Sequence, residues 1–214
     1  MPRALLLRTR VFPYHVYGRC NNKEWFYLPI SEMWKIFNEI MGIVVERYGF
    51  HIHCFVLMSN HYHLIVSTPQ ANLDEAMLYF VREVAKTVNR KTSRINHVFG
   101  GPYKWSLLDH KRAYEHAFKY VYRNPVEAAM CSKVENYPFS TLQFSANPSS
   151  FTYKLSNSIF ENCNQYPQTP SMETLHWLNH PYEEDEKLNI RNALKHRRFK
   201  FSGRLSIPLA RKLK

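Results

Sequence analysis

The most regular pattern in the chain begins at Ser31. In SEMWKIFNEIMGIVVERYGF the apolar residues Met33, Trp34, Phe37, Ile40, Met41, Val44 and Val45 recur at spacings of three and four, which is one face of a helix. Ser31 is its expected N-cap and Gly49 its expected stop. Upstream, Val11–Arg19 (VFPYHVYGR) alternates and is rich in Val, Tyr and Phe, as a strand is, and Asn21-Asn22 marks a turn. Downstream, the runs Ile52–Met58 and His61–Ser67 flank Ser59-Asn60 and predict a β-hairpin. A second helical period covers Leu73–Arg90, opened by Asn72. Gly100-Gly101-Pro102 breaks the chain before a short strand, Tyr103–Leu108. Asp109 is the expected N-cap of a helix over HKRAYEHAFKYVYR that meets Asn124-Pro125, with a further helical turn at Val126–Cys131.

The order β-α-β-β-α-β followed by a helix predicts an α+β fold. It is ferredoxin-like, with helices on one face of an antiparallel sheet. Around Pro138 the character changes. Residues 145–171 are rich in Ser, Asn and Pro and predict irregular chain, followed by short helices at Met172–Asn179 and Glu183–His196. The second of these is acidic at its start and basic at its end, as the helix dipole favours. The chain then closes on KHRRFKFSGRLSIPLARKLK. The expected organisation is a globular domain over residues 1–143 and a C-terminal basic extension, helical and irregular, over 144–214.

Charge narrows the choice of partner. Lys and Arg number 29 against 17 Asp and Glu, a formal net charge of +12, which favours a polyanion and above all a nucleic acid. Only six glycines are present and no Gly-rich phosphate loop, so no nucleotide cofactor is expected. The four cysteines form no CxxC pair, which argues against a zinc ribbon and for free thiols in a reducing cytoplasm. The apolar run Ala4–Leu7 is too short for a signal peptide, and no apolar run is long enough to span a membrane.

Two constellations could carry chemistry. His61 and His63 are two apart, so in a strand both imidazoles project from one face and can take adjacent positions around a divalent cation. The spacing is a cheap one, because His51 and His53 repeat it, and half-buried histidines without a ligand would read the same way. Tyr120 and Asn124 are four apart and share a helix face with Ala113, His116 and Ala117, while Tyr114, Phe118, Val121 and Tyr122 form the core stripe. Taken alone, Tyr120 reads equally as a packing residue and Asn124 as a cap before Pro125.

Taken together, these segments resemble the single-tyrosine HUH transposases, and within them the REP-associated branch. The resemblance rests on YHVYGR (Tyr14–Arg19), LMSNHYHLIV (Leu57–Val66), FGGPYKWSLLD (Phe99–Asp109), YVYRNPVEAAM (Tyr120–Met130) and YPFST (Tyr137–Thr141), in the family's order and spacing. It continues more weakly through WLNHP (Trp177–Pro181) and the basic segment Glu183–Gly203. Ser59 stands where the family usually has proline, Pro102 where an Arg is common, Phe139 in place of a usual Trp, and Glu127 and Ala129 in place of a usual Arg and Gly. The tail reads His-Arg-Arg-Phe-Lys-Phe in place of Arg-Gly-Arg-Pro.

The resemblance implies a metal-dependent strand-transferase acting on single-stranded DNA that carries a hairpin. Tyr120 would be the nucleophile that forms a 5′-phosphotyrosyl intermediate. His61, His63 and Asn124 would bind Mg²⁺ or Mn²⁺, and Tyr62 would face away from the metal. Arg19, Lys104, Trp105, Arg197, Arg198, Phe199 and Lys200 are the DNA-contact candidates, as phosphate-tracking cations and base-stacking aromatics. The protein would act as a monomer or a homodimer. Two readings compete: a catalytically silent hairpin-binding protein, and a hydrolytic nuclease that uses the histidine pair with water. An RNA-binding ferredoxin-like domain ranks last, because the aromatic consensus of such domains is absent.

Overall fold

The computed structural model describes residues 5–160, 170–183 and 185–201. The strands β1 (Tyr14–Arg19), β2 (His51–Leu57), β3 (His61–Ser67) and β4 (Lys104–Leu107) form one antiparallel sheet in the order β2-β3-β1-β4. The helices α1 (Ile30–Tyr48) and α2 (Leu73–Thr92) connect them, and α3 (Lys111–Glu127), α4 (Met172–Asn179) and α5 (Glu186–Ala193) follow. This is the ferredoxin-like βαββαβ arrangement that the pattern predicts.

Strand alternation divides the side chains between two cores. Tyr14 and Val16 of β1 and Tyr62, Leu64 and Val66 of β3 pack against Met33, Phe37 and Met41 of α1 and Met77, Phe80 and Val84 of α2. From the other face, Cys54, Val56 and Ile65 pack against Ala117, Phe118 and Val121 of α3. The one-sided expectation therefore holds for α1 and α2, while α3 with α4 and α5 adds a layer on the opposite face. That explains why β2 and β3 are buried along almost their whole length, since both their faces are covered.

Two helix starts differ from expectation. The Pro29 carbonyl accepts from the backbone N–H of Glu32 and Met33, so α1 begins at Ile30 and Ser31 lies inside its first turn. Helix α3 is capped by His110, whose Nδ1 accepts from the Ala113 N–H at 3.1 Å, while Asp109 faces Arg198 at 3.4 Å. Nor does α3 stop before Pro125: it runs through it to Glu127, and Ala128–Met130 form a closing turn. Gly49 ends α1 as expected, in the left-handed conformation at φ 65°.

The C-terminal chain covers both edges of the sheet. Leu155 bridges to Ile52 on β2, and Phe151 and Tyr153 enter the core beside α1, where the Tyr153 hydroxyl donates to Asn38 Oδ1 at 2.9 Å. At the other edge, Leu107 of β4 donates to the Arg197 carbonyl at 2.9 Å and accepts from the Phe199 N–H at 3.0 Å. These contacts pair part of the outward backbone at each edge and leave less of it to invite another strand.

Ala129 sits at φ 54°, a left-handed conformation that penalises a side chain, at the position where the resembling family usually has glycine. Ala129→Gly is expected to stabilise the fold by about 1 kcal/mol, measured as an increase in the urea midpoint with unchanged slope.

Candidate active site

The pairing of β1 with β3 places Tyr17 opposite His63 and Arg19 opposite His61. Alternation then puts His15, Tyr17, Arg19, His61 and His63 on the sheet face that looks toward α3. Helix α3 brings Tyr120 over this face. Its ring centroid lies 5.5 Å from that of His63, edge-on, and 6.2 Å from that of His15. The His61 and His63 rings are 5.2 Å apart, and Tyr17 lies 5.0 Å from His63 and 5.7 Å from His61. Tyr62, between the two histidines, is fully buried on the opposite face. The second HxH pair does not converge in this way: His51 is exposed, and His53 is buried with its Nε2 2.7 Å from Ser67 Oγ.

Hydrogen bonds orient each ring. The Asn60 amide donates to the Lys23 carbonyl at 2.7 Å, which leaves its Oδ1 to accept from His61 Nδ1–H at 2.6 Å. His63 Nδ1 lies 2.9 Å from Nε2 of His15, a residue only 4% exposed. The Asn124 amide donates to the Tyr120 carbonyl at 2.7 Å. Two imidazole Nε2 atoms and the Asn124 Oδ1 are therefore left without a hydrogen-bond partner among the described residues. Two nitrogens and an amide oxygen suit an exchangeable divalent ion that keeps some of its water. Among the described residues, no group of three or more His, Cys, Asp or Glu gathers as a metal site.

Burial dominates the electrostatics. It pushes His15 down to about 3 and His61 to about 4, and it holds His63 well below the ordinary imidazole range. All three rings are neutral at pH 7, and in the His15–His63 contact one ring accepts the N–H of the other. Burial raises the Tyr120 phenol above its ordinary 10, Arg191 pulls it back, Tyr17 raises it and Arg19 lowers it. The charged groups acting on His61, His63 and Tyr120 are Arg19 and Arg191, and no carboxylate is among them. The field at the histidine pair is thus set by arginines, Arg19 and Arg191.

The structure sorts the DNA-contact candidates. Arg19 joins the site, and its Nε is buried without a hydrogen-bond partner among the described residues. Lys104 is exposed and pairs with Tyr17 across β1 and β4, hence on the site face. Trp105 pairs with Val16 and packs edge-on against Tyr14 at 6.0 Å, so its indole belongs to the α1–α2 side and not to the site face. Arg197, Arg198 and Lys200 are exposed beside β4. Phe199 corrects the expectation of a base-stacking ring. It is 4% exposed and stacks on His116 and Phe201 at 6.3 and 6.2 Å, because alternation along this extended segment turns it inward. Sequence reasoning missed His15, Tyr17, Asn60 and Arg191. Alternation in β1 carried a signal for the first two; Arg191 gave none, being one arginine in a basic tail.

Five histidines, His15, His53, His61, His63 and His116, are held below their ordinary value of 6.5, in each case chiefly by burial. The unfolded chain takes up protons near 6.5, while the folded chain resists to about 4 or below. Stability is therefore lost as pH falls from 6.5 toward 4, by up to about 1.4 kcal/mol per pH unit for each histidine. Urea unfolding between pH 7 and 5 should show a midpoint that falls steeply with acid, and a flat profile would contradict the burial.

Comparisons with known proteins bear on the family and the fold. A family model described as IS200-like transposase matches residues 12–123, from just before β1 to the turn of α3 that follows Tyr120. A solved structure of a REP-associated tyrosine transposase bound to a REP hairpin superposes with a TM-score of 0.57 at 16% identity, covering 75% of this chain and 96% of that one. A crystal structure from Deinococcus radiodurans R1 gives a TM-score of 0.38 at 14% identity, covering 55% of this chain and 93% of that one, too low to bear on the fold. A search of curated proteins gave no significant match. On the family match, which spans more than half of its length, the chain belongs to the IS200-like transposase family.

Proposed function

We propose that the protein is a strand-transferase for single-stranded DNA that uses Tyr120 as its nucleophile. The observation that carries this reading is the placement of Tyr120 over the His61–His63 pair, 5.5 Å from the His63 ring, in a site whose charged groups are arginines. The Tyr120 hydroxyl oxygen attacks the phosphorus of a backbone phosphodiester and forms an O–P bond. The bond from phosphorus to the 3′-oxygen breaks, and that oxygen leaves with the electron pair. The phenolic proton passes through solvent to the departing 3′-oxygen. The products are a 5′-phosphotyrosyl enzyme and a free 3′-hydroxyl, which a second 3′-hydroxyl can reverse without an energy source.

His61, His63 and Asn124 would hold Mg²⁺ or Mn²⁺, which polarises the phosphate and stabilises charge on the leaving oxygen. Asn60 and His15 keep the two imidazoles oriented and neutral. Arg19 neutralises the phosphate. Lys104, Arg197, Arg198 and Lys200 offer a basic rim for the flanking backbone, which assigns DNA contact to the C-terminal extension over 144–214. The fold shared with a hairpin-bound relative supports a hairpin with a single-stranded flank as substrate.

The test uses labelled hairpin oligonucleotides with Mn²⁺ on a denaturing gel. Wild type and Tyr17→Phe are expected to form a protein–DNA adduct. Tyr120→Phe is expected to form none, and EDTA should abolish the adduct until Mn²⁺ is restored. Cleavage by Tyr120→Phe without an adduct would establish a hydrolytic nuclease, whereas binding without cleavage by wild type would establish a silent hairpin-binding protein.

A further inference from the structure

We propose that Trp25, in the loop that joins β1 to α1, is the platform on which an unpaired DNA base stacks beside the active site. This rests on the single-stranded DNA reading given above. The two rings that the sequence offered for that task, Trp105 and Phe199, turn toward the cores. Trp25 does the reverse. It is 77% exposed, and among the described residues it is the one Phe, Tyr or Trp that is neither buried nor half-buried. Its neighbour Phe26 takes the core position instead, edge-on to Phe37 and Phe99 at 5.8 and 6.1 Å.

The loop is held firmly, and it is held to the site. Asn60 makes the link. Its amide donates to the Lys23 carbonyl and its Oδ1 accepts from His61 Nδ1–H, so one side chain joins the loop to a ligand candidate. The Cys20 N–H donates to the Asn60 carbonyl at 2.8 Å, and the Phe26 N–H donates to the Ser59 carbonyl at 2.9 Å. Both ends of the loop are thus tied to the turn that precedes His61. On another side, the Asn21 N–H donates to the Val98 carbonyl at 2.9 Å. Asn22 and Lys23 take left-handed φ values of 53° and 61°, which cost a non-glycine residue energy and persist where the surroundings impose them. A large ring on a fixed mount loses little ordering entropy when it binds.

Charge selects the occupant. Lys23 is exposed in the same loop, and Arg19, at the end of β1, and Lys104 stand on the site face. Glu24, the only carboxylate of the loop, accepts from the Tyr27 hydroxyl at 3.2 Å. An exposed indole among cations suits a ligand that joins a flat ring to a negative backbone, as a nucleotide in a strand does. In a duplex each base face is covered by the next base, so an unpaired base is the one free to stack.

The experiment measures the anisotropy of two labelled oligonucleotides, a hairpin with a single-stranded flank and the same hairpin closed flush. Wild type, Trp25→Phe and Trp25→Ala are compared, with thermal unfolding followed alongside. Trp25→Ala is expected to weaken binding of the flanked hairpin by about tenfold, and Trp25→Phe to stay within about threefold of wild type. Binding of the flush hairpin and the melting temperature should not change. Flanked DNA should quench the tryptophan emission of wild type, and Trp25→Phe should lose most of that quenching while it still binds, which a merely structural role would not produce. Unchanged affinity in Trp25→Ala overturns the inference, as does an equal loss on both oligonucleotides. Normal DNA binding by a Trp25→Ala protein that sediments as a smaller species than wild type would overturn it in favour of a contact between copies of this chain. If wild type binds flanked DNA and forms no adduct, the strand-transferase reading fails while the same affinities still decide Trp25; if wild type binds neither oligonucleotide, both fail.

Discussion

The register between β1 and β3 is the constraint on which everything else depends. A shift of one residue would send His61 and His63 into the α1–α2 core and Tyr62 out to the site. The core holds the register by size. Tyr62 is wedged among Phe37, Phe80 and Phe99, with ring centroids 5.4, 5.8 and 6.1 Å away. The strand opposite makes room at Gly18, where a Cβ would meet the Tyr62 ring at 2.5 Å. The largest side chain in the histidine motif thus anchors the sheet, and its bulk on one face fixes the direction of the two ligating candidates on the other.

The second determinant is the layer over the site face. Helix α3 is buried on several sides, with Phe118 and Val121 on the sheet and Arg123 under α4. Tyr120 emerges between those contacts, neither in the core nor free in solvent. Its phenol is shielded enough for burial to raise it, and close enough to two arginines for their field to oppose that rise. The nucleophile candidate is thus protonated at rest in a neighbourhood that favours negative charge.

What the sequence makes legible follows from range. The hairpin at His51–Ser67, the period of α1 and α2 and the glycine stop at Gly49 are local, and they were readable from spacing and turn chemistry alone. The caps at Ser31 and Asp109 misled because good capping residues adjoin the true starts, where the Pro29 carbonyl and the His110 imidazole do the work. The His61–His63 face was readable from alternation, but the His15 partner needs the β1–β3 register, a non-local fact. Phe199 and Trp105 looked like stacking platforms because aromatics among basic residues read the same whether they face solvent or core; only pairing with Leu107 and Val16 tells which. Glu127 stands in place of the family's usual Arg, and the partner it finds lies sixty residues on, in Lys187.

Helix α3 packs on β2 and β3, and so sets Tyr120 beside His63. The stoichiometry of the proposed reaction follows. With Tyr120 as the single nucleophile, a copy that has cut one strand is occupied by its own covalent product until a 3′-hydroxyl releases it. Each copy can hold one DNA end at a time, so moving a segment with two ends takes two copies side by side or one copy acting twice in succession.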